Sequence, residues 1–161
     1  MRAWQVTGPG DPRSVLRSVE IDEPEPDEGM VQIAVQTAAV GLPDAFMCSG
    51  IYPLTPKQLP FTPGQEVVGT VTAVGDGVDD ALLGKRVSAV TAIYVGGGGF
   101  AEVTVTPVAN AFEMPAAMPD TIAAGFLIPV HTGWIGLKER AGLVPDETLV
   151  VLGGAGGSGA A

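Results

Sequence analysis

Three glycines near the end of the chain have the spacing that most clearly suggests chemistry. Gly154, Gly156 and Gly159 form a G-x-G-x-x-G pattern directly after the aliphatic run 148–152. In a strand-to-helix turn, such glycines permit a tight turn, a close approach of a pyrophosphate and close packing of the next helix. The N–H groups at that helix N-terminus would hold the phosphates. The pattern predicts a dinucleotide-binding loop, and a flexible glycine-rich tail is the alternative.

Metal binding is the chemistry that the composition disfavours. The chain contains one cysteine, Cys48, and one histidine, His131. A catalytic zinc needs about three protein ligands of the Cys, His or carboxylate type, and one cysteine cannot form a cysteine-rich zinc site or an intrachain disulfide. We expect His131 to be packed or hydrogen-bonded in its apolar stretch. We expect Cys48 to be a small buried hydrophobic residue rather than a nucleophile.

The composition is that of a globular, acidic protein. The composition is 46% hydrophobic and 16% charged. A length of 161 residues is enough for one full domain and short for two. A net charge of −10 argues against a nucleic-acid surface. The most apolar window, 121–137, contains a proline, the histidine and several glycines, so it is expected to be a buried helix and not a membrane span. With no visible signal peptide, we expect a cytoplasmic protein.

The elements that must position these residues fall into two groups. Residues 1–110 consist of short candidate strands separated by turns, and the clearest strand, 31–40, alternates apolar and polar residues. A helical turn is predicted to start at Asp44, and the loop 50–64 contains four prolines. This pattern predicts a partly closed antiparallel β domain over residues 1–118.

The pattern changes at the start of a predicted helix. Pro119-Asp120 is a typical helix start, an apolar helical run continues to Arg140, and glycine and proline end it. Residues 148–152 then predict a short, buried parallel strand that leads into the glycine loop. Helix, strand and glycine loop predict the start of an α/β domain at residues 119–161.

Short motifs follow one another through the whole chain. They are Val40-Gly41, Ser49 to Tyr52, Pro63 to Glu66, Val68-Gly69, Ala73 to Gly75, Gly84 to Val87, Gly99 to Glu102, Arg140 to Leu143 and the glycine loop. The ordered set resembles the medium-chain dehydrogenase/reductase superfamily, and most of all its zinc-independent quinone oxidoreductase branch. The resemblance implies a mixed β and α/β fold: a GroES-like, partly closed β-barrel domain, then the first strand and glycine loop of an incomplete Rossmann domain. Family members complete that second domain beyond the loop, so it also implies the N-terminal half of a longer enzyme.

The resemblance implies a reaction without metal. Zinc-dependent members have a Cys ligand just after the strand that ends near Val40, and a His at the position of Gln65. This chain has Gly41 to Pro43 and Gln65 there, so neither ligand is present. Without a Lewis acid, zinc-type alcohol oxidation is disfavoured. The chemistry that remains is hydride transfer from a reduced nicotinamide to a quinone or an α,β-unsaturated carbonyl compound.

The matched positions imply a set of site residues. Tyr52 could offer its hydroxyl to the substrate carbonyl, or could only anchor its loop. Phe46 would lie near the nicotinamide, or could be a core side chain. Thr132 would lie near the nicotinamide amide, or could hydrogen-bond its own helix, and Asp44 is expected to cap its turn. The remaining cofactor-binding candidates are the loop residues Gly154, Gly156, Gly157, Ser158 and Gly159.

The family branch implies NADPH, and NADH is not excluded. The residue that separates the two cofactors would lie about 20 residues past the glycine loop, beyond Ala161. The alternative function is a non-enzymatic GroES-like binding module, or a truncated remnant, that acts through protein contacts. A solitary chain that ends at Ala161 would expose an unpaired edge at 148–152, which predicts association between chains through this edge. A homodimer is expected.

Overall fold

Seven β-strands make up most of the regular structure. The structure is a computed structural model that describes residues 1–95 and 97–161, so one glycine of the 96–99 run lies outside the described residues. Within these ranges the strands are β1 Arg2–Val6, β2 Leu16–Glu20, β3 Met30–Ala38, β4 Glu66–Val74, β5 Arg86–Val90, β6 Val103–Pro107 and β7 Ala111–Glu113.

The helices are short. In the same described ranges they are α1 Pro12–Val15, α2 Leu42–Cys48, α3 Asp120–Ala123, α4 Leu127–Trp134 and α5 Gly157–Ala160. Helix α4 continues into a π-helical segment, Ile135–Arg140. Single 3₁₀ turns lie at Asp80–Leu82, Ile93–Val95 and Val108–Asn110. None of the helices in the described part of the chain has the length and apolar character needed to cross a membrane.

The strands form an antiparallel β domain, as the sequence predicts. Five of them pair in the order β6-β3-β4-β5-β7, and β1 and β2 form a separate hairpin. The hairpin is hydrogen-bonded to the segment that precedes β6: the Trp4 N–H donates to the Phe100 carbonyl (2.7 Å) and the Glu102 N–H donates to the Arg2 carbonyl (3.0 Å). The two sheets are therefore joined into one domain.

The long central strands β3 and β4 form the core. Val31 and Ile33 of β3 are fully buried, which confirms the alternation read from the sequence. They pack with Val67 and Val71 of β4 in one apolar cluster. At Gly69 the two strands lie so close that an added Cβ would meet Ile33 Cγ2 at 2.7 Å, as well as the Ala34 carbonyl. A side chain at this position would therefore push the central strands apart.

Helix α3 and the residue that follows it pack directly on the five-stranded sheet. Ala123 and Ala124 bury Val68 of β4 in a small apolar cluster. The Ser88 hydroxyl donates to the Ala123 carbonyl (2.7 Å), and Arg86 donates to the Asp120 carboxylate. Contacts from β5 therefore cross the predicted domain boundary between residues 118 and 119.

Two predicted elements differ from the structure. The predicted helix over 121–140 is interrupted by a turn at 124–126, which contains Gly125. Residues 148–152 form no strand ladder within the described ranges, and Val150 and Leu152 are 76% and 93% exposed. This corrects the prediction of a buried strand there. A parallel strand is buried only when neighbouring strands and helices cover it, and no backbone hydrogen bond joins this segment to a strand within residues 1–95 and 97–161.

Candidate active site

A cleft of about 460 Å³ lies where the β domain meets α4 and the glycine loop. One wall comes from the end of β3, the start of α2 and the start of β4, and the other comes from α4 and α5. The lining residues are Ala39, Val40, Gly41, Leu42, Pro43, Asp44, Gln65, Glu66, Gly125, Ile128, Pro129, Gly157 and Ser158. The cleft is therefore mostly apolar, with three polar side chains from the β domain and one from the loop.

Asp44 fixes the first wall. The sequence predicts it at the start of a helical turn, but it is the third residue of α2 and is 5% exposed. Its Oδ2 accepts from the Gly41 N–H (2.8 Å) and caps the helix, and its Oδ1 accepts from the Gly64 N–H (3.0 Å). Burial raises the pKa of the Asp44 carboxyl, and the two backbone hydrogen bonds oppose that rise. Asp44 thus caps its helix, as expected, and also ties it to the loop before β4.

Glu66 joins the two walls. It is 7% exposed, and its Oε1 accepts from the Ile128 N–H (2.8 Å) at the start of α4. The N-terminal N–H groups of a helix have no partner within the helix, so a carboxylate placed there stabilises the helix end. Burial raises the pKa of the Glu66 carboxyl, hydrogen bonds from Ile128 and Leu127 lower it, and nearby Asp44 adds to the rise.

Gln65 contributes an amide to the cleft. The Tyr52 hydroxyl donates to its Oε1 (3.3 Å), while its Nε2 is buried with no hydrogen-bond partner among residues 1–95 and 97–161. Tyr52 is half-buried against a second apolar cluster that includes Met47 and Phe61. The predicted catalytic Tyr52 therefore contacts the cleft residue Gln65 but does not itself line this cleft. Tyr52 lines a separate cavity of about 310 Å³.

The glycine loop folds tightly and presents bare backbone to the cleft. The left-handed conformation falls on Gly153, with φ of +77°, one residue before the predicted turn glycine Gly154. A Cβ at Gly159 would meet the Gly153 carbonyl, so the third glycine packs closely within the loop itself, whereas the predicted packing of the next helix on a strand at 148–152 is not seen because that strand is not formed. A Cβ at Gly157 would meet nothing within 4 Å, and both Gly157 and Ser158 line the cleft. The loop therefore leaves room at its backbone for a phosphate group of a cofactor.

Five of the seven predicted cofactor residues lie outside the cleft lining: Gly154, Gly156 and Gly159 of the loop, together with Phe46 and Thr132. Phe46 is on α2 and is 39% exposed, which overturns the alternative that it is a core side chain. Thr132 is exposed on α4, one turn beyond the lining residue Ile128 and so on the same face of the helix. Gly157 and Ser158 line the cleft. Phe46 and Thr132 do not line it, but they lie on α2 and α4, two helices that contribute to its walls.

The candidate metal ligands are not gathered together. Within the described ranges, no group of three or more His, Cys, Asp or Glu side chains could hold a metal ion. His131 is exposed and meets the Phe112 ring edge-on, with ring centroids 5.9 Å apart. Cys48 is 1% exposed, and burial raises the pKa of its thiol, so the expectation of a buried hydrophobic cysteine is confirmed.

Sequence reasoning missed Glu66 as a site residue and considered Gln65 only as a replaced ligand. The signal that could have identified them is the motif Gly64-Gln65-Glu66 at the start of a buried strand, where two polar side chains interrupt an apolar region. Buried polar groups need partners, so such a pair is typical of a capping or binding role.

Comparisons with known proteins agree with this architecture. The family of the alcohol dehydrogenase GroES-like domain matches residues 27–116. A quinone oxidoreductase-like protein 2 homolog from Nematostella vectensis is 37% identical over 131 residues, which is 81% of this chain and 35% of the relative. The quinone oxidoreductase of Lama guanicoe is 31% identical over 161 residues, all of this chain and 48% of the relative.

A solved structure extends the likeness to the fold. A mycobacterial protein complexed with NADPH matches with a TM-score of 0.84 and 33% identity, over 99% of this chain and 47% of its own. The chain thus spans less than half the length of each of these three proteins.

Proposed function

The chain belongs to the medium-chain dehydrogenase/reductase superfamily, with a GroES-like domain and quinone oxidoreductase-like relatives, and from this we propose its function. It represents the N-terminal half of a metal-free, NADPH-dependent reductase that transfers hydride to a quinone or an enone. The observation that carries the proposal is the shared cleft: Gly157 and Ser158 of the glycine loop line the same space as Gln65 and Glu66 of the β domain.

The cofactor proposal rests on the loop backbone. Space at Gly157 and the tight fold at Gly159 fit the approach of a pyrophosphate to the chain. The candidates that would hold it are Gly154, Gly156, Gly157, Ser158 and Gly159. The mycobacterial neighbour complexed with NADPH supports the choice of nicotinamide cofactor. When bound, NADPH would supply a hydride, and Phe46 and Thr132 are proposed to lie near its nicotinamide.

The acceptor proposal rests on the character of the cleft. Its wall is mostly apolar, so a flat, apolar ring fits better than a charged sugar or phosphate substrate. The polar groups Asp44 and Glu66 are already bonded to backbone N–H groups, and the Gln65 amide remains to meet a carbonyl oxygen. A quinone or an α,β-unsaturated carbonyl compound has both features, and the quinone oxidoreductase of Lama guanicoe supports this class.

We propose a reaction without zinc because of the side chains that are available as ligands in the cleft. A catalytic zinc takes thiolate and imidazole ligands, or imidazoles with a carboxylate. Gln65 offers a neutral amide, and both buried carboxylates accept backbone hydrogen bonds. This set favours hydrogen-bond stabilisation of a developing oxyanion over metal coordination.

The test is an assay of the polypeptide as its source cell produces it. We expect NADPH consumption that depends on an added quinone, such as duroquinone, and that persists after dialysis against a chelator. Intact mass measured on the same sample would identify the length of the active polypeptide. Quinone reduction that stops with the chelator would contradict the metal-free proposal, and no reduction at all would favour the non-enzymatic binding module.

One observation favours the second candidate function, a binding module that acts through protein contacts. Large apolar side chains are exposed on the helical segment and on 148–152, including Trp134 (60%) and Leu152 (93%). Surfaces of this kind mark contacts with another protein surface. A homodimer is the partner proposed for either function.

A further inference from the structure

The Gln65 side chain has one polar atom that is hydrogen-bonded and one that has no partner among the described residues. Its Oε1 accepts from the Tyr52 hydroxyl at 3.3 Å, yet its Nε2 is buried and donates to no atom of the described residues. It is the one side-chain nitrogen or oxygen in the described ranges that is buried and has no partner. Leaving such an amide unpaired costs about 1–3 kcal/mol. A fold that keeps this cost in a cleft suggests a role for the amide in binding.

The neighbouring carboxylates do not satisfy the amide. Asp44 accepts from the Gly41 and Gly64 N–H groups, and Glu66 accepts from the Ile128 N–H. The Gln65 backbone is also fixed, because its carbonyl accepts from the Thr91 N–H (2.9 Å). Because its backbone and Oε1 are both held, Gln65 lines the cleft with Nε2 as its one donor that has no partner among the described residues.

We propose that Gln65 Nε2 donates a hydrogen bond to the carbonyl oxygen of the acceptor, and that Tyr52 is the positioning residue that orients the amide. This inference rests on the proposed function and names the contact that selects a carbonyl substrate. It gives Gln65 the substrate contact that the family resemblance implies for Tyr52. A neutral amide suits the task because it stays a donor across the physiological pH range.

The electrons and protons of the proposed reduction balance, and Gln65 is chemically unchanged by it. In the proposed reduction the acceptor gains a hydride with its electron pair at carbon, while NADPH is oxidised to NADP⁺. Negative charge develops on the carbonyl oxygen, which then takes a proton from water. The amide keeps both of its protons, and its hydrogen bond strengthens as the charge grows.

The test compares two ligands that share one carbon skeleton and differ in whether it carries carbonyl groups. Duroquinone carries two carbonyl groups, and durene is the corresponding hydrocarbon. Their dissociation constants would be measured with the polypeptide as its source cell produces it and with its variants Gln65→Met, Gln65→Glu and Tyr52→Phe. The exposed Gln58→Met is the matched control, since it makes the same substitution outside every cleft described above.

The Gln65 variants separate loss of the donor from loss of the fold. Met removes both polar atoms, whereas Glu keeps an oxygen acceptor for Tyr52 and loses the N–H donor. We expect duroquinone to bind about 10-fold more weakly to both, and durene to bind as it does to the native chain. Equal weakening for the two ligands, or no weakening, would overturn the inference.

Infrared spectroscopy supplies a second readout. A donated hydrogen bond lowers the carbonyl stretching frequency of bound duroquinone. We expect that lowering in the native chain and in Gln58→Met, a loss of it in Gln65→Met, and a partial loss in Tyr52→Phe because the amide is no longer oriented. A frequency that is unchanged in Gln65→Met would overturn the proposed contact.

NADPH binding distinguishes this inference from the function on which it rests. If NADPH binds the native chain and Gln65→Met equally while duroquinone affinity is unchanged, the Gln65 contact is wrong and the reductase proposal stands. If neither NADPH nor duroquinone binds the native chain, both are overturned.

Discussion

Glu66 is a buried carboxylate of the site whose pKa is raised in the folded chain. It is buried, it caps α4, and a second buried carboxylate, Asp44, lies close enough to raise its pKa further. Because that pKa lies above its ordinary value of 4.5, the folded chain holds a proton that the unfolded chain has lost in the pH range just above that value. The contribution of Glu66 to stability is therefore largest at low pH and falls as pH rises through the folded pKa.

The variant Glu66→Gln tests the direction of this dependence of stability on pH. Glutamine keeps an oxygen that can accept from the Ile128 N–H and carries no charge, so the variant should gain stability relative to the native chain as pH rises from about 4 to about 8. The measurement is the melting temperature across that range, with exposed Glu23→Gln as the matched control. A difference between Glu66→Gln and native chain that shrinks with rising pH would contradict the account.

The glycine loop is the element on which the proposed cofactor binding depends. A Cβ at Gly156 would lie 3.3 Å from the Gly153 carbonyl, so a small side chain is barely accommodated and a branched one would cover the loop backbone. We expect Gly156→Val to weaken NADPH binding at least about 10-fold, which corresponds to about 1.4 kcal/mol. Titration calorimetry on the polypeptide as its source cell produces it measures the change, with Gly8→Val as control because Gly8 has open space around it. NADPH affinity equal to that of the native chain would remove the loop from the cofactor site.

The central strand pair is the element that supports the cleft. Gly69 lies where β4 approaches β3, and an added methyl group would meet Ile33 and the Ala34 carbonyl. Gly69→Ala should therefore lower the free energy of unfolding by about 1–3 kcal/mol, the usual cost of overpacking. Urea denaturation measures it, and Gly8→Ala should change stability by less than about 0.5 kcal/mol. An equal effect of both substitutions would contradict the close approach.

Local patterns predicted the strands better than the site. The alternation of Val31 and Ile33 identifies the buried face of β3, and the start of α3 at Asp120 follows from its preceding proline. The cleft could not be predicted in this way, because the Asp44 contact spans 20 residues and the Glu66 contact spans 62. Such contacts depend on how the elements pack. The run 148–152 has the composition of a strand, but a ladder also needs a neighbour.

The exposed apolar residues of the molecule predict association between chains. Val150 and Leu152 are 76% and 93% exposed, on a segment with free backbone donors and acceptors in the described structure. We expect the 161-residue chain to form a dimer or larger species whose proportion rises with concentration. The double variant Val150→Lys and Leu152→Lys should shift it toward monomer, as measured by light scattering. The control is Leu54→Lys with Leu83→Lys, which changes two apolar residues that are exposed elsewhere (53% and 46%). A native chain that stays monomeric would contradict this expectation.

The central claim is that the glycine loop and the β domain share one ligand site. An NMR titration of the polypeptide, as its source cell produces it, with NADPH tests it most directly, because each group reports separately. We expect the backbone amides of Gly156, Gly157 and Ser158 and the side-chain amide of Gln65 to shift with one common dissociation constant, since Gly157, Ser158 and Gln65 line one cleft. Loop shifts without any change at Gln65, or no shifts in the loop, would contradict the claim.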